Sequence, residues 1–330
     1  MKLNKPLLIV LGEPNSVFIE ILIKTLNKKS IKNTMKYPII LIGSRKLILA
    51  QQKTLNKKIH FEKIKVTELN VKKFLKRKIY LIDVEYNFKK AFEEISFKSK
   101  NYISNCFKIA IKLLNNKLSD KLINGPISKK HFLSKKHPGI TEYIFDKSKN
   151  KISKKPVMLL YNKELTVSPL TTHIPLKNVS KSISQKLIIQ NINIINNFYK
   201  KILKKNPKIA ILGLNPHCET KSKYNEENLF IKPAISKLRK NKRNVYGPFS
   251  TDTFFIKKNI LKFDNVIGIY HDQVLTPFKT LFGFDASNIT LGLPFLRISV
   301  DHGPNETMLG KNLSSPKSLE NIFKFINSLK

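Results

Sequence analysis

Three histidines stand in separated, unusual contexts: Thr171-Thr172-His173-Ile174-Pro175-Leu176, Gly213-Leu214-Asn215-Pro216-His217 and Tyr270-His271-Asp272-Gln273. The chain has seven histidines, and these three each follow an apolar run. Imidazole is the commonest ligand for borderline divalent metals. Three protein ligands with one position left open describe a catalytic site, not a structural one. A lone histidine is usually a hydrogen-bonded loop residue; the repeated context is what points to a metal. Soon after the third comes Asn288-Ile289-Thr290-Leu291-Gly292-Leu293-Pro294-Phe295-Leu296-Arg297, a block ending in a fixed cation. Arginine offers a planar fork suited to phosphate or carboxylate. Together a metal and a cationic clamp suggest an enzyme acting on a small phosphorylated or carboxylated substrate. Asp272 and Asp252, the latter in Gly247-Pro248-Phe249-Ser250-Thr251-Asp252-Thr253, could orient ligands or accept a proton. Capping a loop is their plainer role.

The elements that must position these residues follow from the apolar pattern. Short apolar runs alternate with amphipathic stretches, as in parallel sheets with helical crossovers. Leu7–Leu11, Ile39–Ile42, Ile79–Val84 and Lys121–Asn124 read as buried strands, and residues 88–118 carry helical spacing. Val157–Tyr161 and Leu165–Ser168 read as a hairpin around Asn162-Lys163. Ser182–Lys204 reads as a second helix, with Ile183, Leu187, Ile188, Ile192, Ile195 and Phe198 on one side. Lys208–Gly213 and Val266–Tyr270 are further strands, each leading to a motif histidine, which suits chemistry beyond the carboxyl ends of strands. No Gly-x-Gly-x-x-Gly follows any strand, so a Rossmann fingerprint is missing. Lys147–Lys155 is a charged, linker-like stretch.

With 330 residues and 41% hydrophobic content, the chain can form two domains or one large α/β unit. The formal charge of +40 would ordinarily raise nucleic acid as a partner. Yet only five of the 62 basic residues are arginine, and the lysines are spread evenly, which marks compositional drift. No zinc-finger or RNP-type signature accompanies them, so no specific nucleic-acid binding is expected. The field would still attract anionic substrates. No run approaches the roughly 18 apolar residues that span a membrane, and Met1–Pro6 leads into a strand without a cleavage pattern. Cys106 and Cys218 make no disulfide framework. These features together predict a cytoplasmic protein.

The histidine motifs, the Asn288-to-Arg297 block and Asp301-His302-Gly303 resemble the PdxA family of 4-hydroxythreonine-4-phosphate dehydrogenases of vitamin B6 biosynthesis, over Gly12 to about Gly310. The resemblance implies two α/β domains like those of isocitrate and isopropylmalate dehydrogenases, with the active site in an inter-domain cleft and at a homodimer interface. It places residues 1–122 with 290–330 in a cofactor-side domain, and 123–289 in a domain carrying the metal ligands and dimerisation. His173, His217 and His271 map onto the metal ligands; Thr141, Lys279, Asn288 and Arg297 onto substrate contacts; His302 and Gly303 onto the cofactor side. The implied chemistry is oxidation of a small phosphorylated hydroxy amino acid by NAD⁺ or NADP⁺, assisted by Zn²⁺, with Mg²⁺ and Co²⁺ as alternatives. Lys279, Asp252 and Asp272 are the candidate bases.

The sequence departs from the family pattern in three places. Gly12-Glu13-Pro14-Asn15-Ser16-Val17-Phe18-Ile19-Glu20 lacks the family's two inner glycines and second proline, which predicts an altered pocket wall. Ile140 replaces a substrate-contacting histidine. Cys218–Lys223 replaces a glycine-rich loop, although Glu226 and Glu227 remain. Ile140 keeps open oxidation of a sugar-acid phosphate such as threonate or erythronate 4-phosphate. A basic nucleic-acid-binding protein on a retired enzyme fold is the reading from another class. His60, His131 and His137 have no motif support and are expected at the surface.

Overall fold

The structure, a computed structural model, describes residues 5–69, 73–133, 137–219, 224–283 and 285–329; Thr220–Lys223 of the altered loop lies outside them. It is α/β and divides into two compact units. Residues up to Pro156 together with Leu293–Ser328 form the first, and Val157–Gly292 the second. The strands are, in chain order, β1 (Leu7–Val10), β2 (Ile39–Gly43), β3 (Glu62–Ile64), β4 (Ile79–Asp83), β5 (Lys121–Asn124), β6 (Val157–Tyr161), β7 (Thr166–Thr171), β8 (Ile209–Leu212), β9 (Val245–Phe249), β10 (Asn265–Tyr270), β11 (Ser287–Leu291) and β12 (Leu296–Val300).

In the first unit the order is β3-β4-β2-β1-β5-β12, and every pairing is parallel. Parallel strands covered on both faces read as unbroken apolar runs. Accordingly, Leu7–Val10 and Ile39–Gly43 are buried at every position. The first compact unit runs on past β5 to Pro156. The cause is β5, which is held between β1 and β12, while the helix Ile140–Lys147 packs against the helix Lys100–Asn115. The linker-like Lys147–Lys155 stretch immediately precedes Pro156. The chain returns to the first unit at Leu293.

The 88–118 stretch holds the expected long helix, at Lys100–Asn115, and residues 88–96 before it are irregular. That segment is fastened instead to the N-terminal loop. Asn15 Oδ1 accepts from Glu93 N (3.1 Å), Asn15 Nδ2 donates to Glu94 O (3.3 Å), and Gln51 Nε2 bridges Pro14 O and Ala91 O. The bulky residues of the N-terminal loop therefore face inward. Asn15, Ser16, Val17, Phe18 and Ile19 are all buried, and Ser16 Oγ donates to Glu13 O at 2.7 Å. Gly12 keeps its necessity, since at φ +75° a Cβ would lie 2.4 Å from Pro126 O.

Glu13 is itself buried, accepting from Ser99 Oγ at 3.1 Å. Burial pushes its carboxyl up to about 7, against the Ser99 and Asn15 hydrogen bonds and with Glu306 reinforcing it. A raised acid contributes stability that is fully present below the unfolded value of 4.5 and is lost as pH climbs through about 7. The loss is worth about 3 kcal/mol. Glu13→Gln removes this dependence, so thermal unfolding should show the variant gaining on the parent as pH rises from acid to mildly alkaline. A constant difference between the two across that range would show that Glu13 does not ionise in the folded state.

In the second unit the order is β11-β6-β7-β10-β8-β9. β6 and β7 form the expected hairpin, with Leu160 opposite Val167 and Asn162 N bonded to Leu165 O at 3.0 Å. β11 is antiparallel to β6, whereas β7, β10, β8 and β9 run parallel. The helix Gln185–Phe198, capped by Ser184 Oγ, continues into a widened turn at Tyr199–Leu203. No helix among the described residues is long and apolar enough to cross a membrane.

Candidate active site

The three motif histidines leave one edge of the second unit's sheet. His173 lies two residues beyond β7, His271 directly after β10, and His217 five residues beyond β8. These strands are parallel neighbours in the order β7-β10-β8, so their carboxyl ends emerge side by side at about 4.8 Å spacing. The rings of His173 and His271 stand 5.6 Å apart, centroid to centroid. His173 and His217 both occupy left-handed backbone, at φ +42° and +56°, a region that non-glycine residues seldom adopt without a local reason.

Side chains given no role in the sequence reading hold these three loops. Gln273, buried on the helix His271–Phe282, donates through Nε2 to Gly213 O (2.7 Å) and Thr251 Oγ1 (2.8 Å), while its Oε1 accepts from Ile269 N. Thr171 Oγ1 donates to Ile269 O, joining the end of β7 to β10. Glu227 is buried and accepts from the backbone N–H groups of Leu214 and Asn215 and from Asn215 Nδ2. It thereby sets the turn that carries His217. The only advance signal for Glu227 was its survival beside an altered loop.

Each aspartate stands beside one histidine. His271 Nδ1 donates to Asp272 Oδ1 at 2.6 Å, which leaves Nε2 with its lone pair. His217 Nδ1 lies 3.6 Å from Asp252 Oδ2. The hydrogen bond from Ser250, with Thr253 N and His217 adding to it, holds the Asp252 carboxyl below the usual carboxylate range. Asp252 is therefore anionic at neutral pH, suited to orienting an imidazole and weak as a base. Among the described residues, no three or more His, Cys, Asp or Glu side chains already stand in a metal-holding group. The donor set nevertheless fits a borderline divalent ion: three imidazoles on adjacent loops, two of them backed by carboxylates. Lys279 sits on the helix His271–Phe282, about 12 Å along its axis from His271. Asn288 lies on β11 opposite Leu160.

The other predicted residues belong to the first unit. Arg297 on β12 is completely buried, with Nε donating to Asn124 Oδ1 (2.8 Å) and Nη1 to Thr141 Oγ1 (3.1 Å). Burial pushes its guanidinium down to about 10, and the field of Glu142 opposes the fall. Thr141, Ile140 and Glu142 form the first turn of the helix Ile140–Lys147. His302 Nδ1 donates to Gly303 O at 2.9 Å, while the neighbouring Pro304 O accepts from Val17 N. His60 is exposed as expected, whereas His131 and His137 are half-buried. His131 bonds Ser128 Oγ at 2.8 Å, and His137 lies 3.3 Å from Asp146 and edge-on to Tyr143.

Comparison with known proteins places this arrangement. Residues 34–326 match the model of the pyridoxal phosphate biosynthetic protein PdxA. The chain belongs to the PdxA family. Among PdxA relatives, the 4-hydroxythreonine-4-phosphate dehydrogenase of Sulfurihydrogenibium sp. is 38% identical across 94% of both chains. The D-threonate 4-phosphate dehydrogenase of Salmonella typhimurium is 30% identical across 91% of both. The solved structure of a 4-hydroxythreonine-4-phosphate dehydrogenase from Klebsiella pneumoniae superposes with a TM-score of 0.79 at 25% identity, covering 98% of each chain. PdxA membership and the α/β fold thus agree with the motifs from which they were expected.

Proposed function

We propose that this PdxA-family chain oxidises 4-phosphohydroxy-L-threonine with NAD⁺ or NADP⁺ in vitamin B6 biosynthesis. The product, 2-amino-3-oxo-4-phosphooxybutanoate, is a β-keto acid that loses CO₂ to give 3-amino-2-oxopropyl phosphate. The observation that carries the reading is the sheet edge of the second unit, where three parallel neighbours each deliver an imidazole. His173, His217 and His271 would hold the divalent ion, Zn²⁺ with Mg²⁺ and Co²⁺ as alternatives. When bound, such an ion lowers the pKa of a coordinated hydroxyl. Asp272 keeps His271 in the tautomer whose Nε2 can bind, and the Asp252 carboxylate faces His217 Nδ1 at 3.6 Å. Lys279 or Asp272 accepts the hydroxyl proton; Asp252, already held anionic by Ser250 and Thr253, is the weaker base. Arg297 binds the substrate's anion, with Thr141, Lys279 and Asn288 completing its contacts. His302 and Gly303 contact the nicotinamide cofactor, which supplies the hydride acceptor. The working unit is a homodimer in the cytoplasm.

The D-threonate 4-phosphate relative and Ile140 favour a second reading, oxidation of a sugar-acid phosphate. An aliphatic side chain beside Thr141 offers no hydrogen-bonding group to a substrate amine or hydroxyl. Metal-reconstituted protein assayed with both substrates and each cofactor, following formation of reduced nicotinamide, decides between them. Metal-dependent turnover preferring the amino acid is the expected result. A higher kcat/KM for threonate 4-phosphate would transfer the assignment to the sugar acid.

A further inference from the structure

We propose that Asn124 is a positioning residue for Arg297, fixing the guanidinium plane through a neutral acceptor so that its positive charge stays available to a substrate anion. The inference rests on the reading of Arg297 as the anion contact and adds the residue that makes it effective. Register supplies the first support. β12 pairs with β5 in parallel, with Arg297 beside Leu122 and Ser299 beside Asn124. Side chains two apart share a face, so Asn124 and Arg297 are diagonal neighbours on one face of the sheet. Both are buried, at 1% and 0% exposure.

Hydrogen bonding supplies the second support. Asn124 Nδ2 donates to Gly125 O at 2.8 Å, which turns the amide so that Oδ1 accepts from Arg297 Nε, also at 2.8 Å. Thr141 Oγ1 accepts from Nη1. Bonds at Nε and Nη1 define the plane of a rigid planar group, so the fork cannot rotate about its stem. A carboxylate in place of Asn124 would also fix the plane, but it would cancel the charge that the anion needs. An amide gives orientation without adding a second negative charge to the field of Glu142. Burial disfavours the cation, and an arriving phosphate or carboxylate offsets that penalty.

Two substitutions test this in the full chain, with inorganic phosphate as the probe. Phosphate binding is measured by calorimetry, and only the portion abolished in Arg297→Met is compared, which removes weak binding to surface lysines. Asn124→Asp preserves size and the acceptor at Nε, adds charge, and replaces the donor to Gly125 O with an acceptor. It should weaken that portion about tenfold or more and raise KM while leaving kcat nearly unchanged. Asn124→Ser removes the acceptor at Nε without adding charge; it should weaken phosphate binding with a smaller rise in KM, and it carries the test if the aspartate variant does not fold. A folded variant of either kind that binds phosphate as the parent does would overturn the proposal. So would a parent chain with no Arg297-dependent phosphate binding. If the parent binds phosphate through Arg297 but oxidises neither phosphorylated substrate, the reaction assigned above falls, and the Asn124 comparison still decides this inference.

Discussion

His217→Ala is expected to abolish turnover, lowering kcat/KM by ~10³-fold or more, because an ion that contributes several kcal/mol to the reaction loses one of three ligands. The local backbone makes the test sharper than ligand removal alone. His217 sits at φ +56°, ψ +12°, a conformation that costs an L-residue about 1 kcal/mol and glycine almost nothing. The strain is maintained by Glu227, which grips Leu214 N and Asn215 N, and the imidazole is faced by Asp252. His217→Gly should therefore lose activity as fully as the alanine variant while unfolding at an equal or higher temperature. Metal content, melting temperature and turnover measured on the same preparations separate the possibilities. Activity and stability falling together in the glycine variant would make His217 a structural loop residue. Near-parental turnover with a full complement of metal would remove it from the site.

How far the sequence revealed this molecule depended on the range of the interactions involved. Leu7–Val10 and Ile39–Gly43 were legible because strands buried on both faces need only a continuous apolar run, a property of the segment itself. The histidine motifs were legible for a related reason: each follows such a run, and strand ends are where parallel sheets expose chemistry. The start of the helix within residues 88–118 was not legible, because the apolar content of 88–96 suits a helix as well as a strap. What decides between the two is Asn15, whose side-chain amide binds Glu93 N from 78 positions away. The place of Lys121–Asn124 between β1 and β12 is set in the same way, by a strand that returns from late in the chain. Asn124 and Gln273 showed nothing by type or spacing, and Glu227 only its retention beside an altered loop. Their importance lies in partners that folding alone brings near, such as Arg297, 173 positions from Asn124.

Arg297→Met should lower kcat/KM for the phosphorylated substrate on the order of 10²-fold or more, chiefly through KM, because a desolvated anion loses its charged partner. The effect on stability should be smaller than is usual on deleting a hydrogen-bonded buried residue. Burial holds the guanidinium at about 10, so the folded protein at neutral pH carries a cation that its surroundings disfavour by a few kcal/mol. This term vanishes with the charge, while Asn124 Oδ1 and Thr141 Oγ1 lose their donors and set a cost against it. The two nearly offset, so the melting temperature without ligand should change little although affinity collapses. Arg297→Lys keeps the charge but loses the fork that Asn124 and Thr141 hold, and should fall between parent and methionine variant. Kinetics on the three proteins, with their melting temperatures, test this ordering. A methionine variant with unchanged KM and kcat would place the substrate's anion elsewhere. A lysine variant equal to the parent would show that only charge, and not the plane set by Asn124, is used.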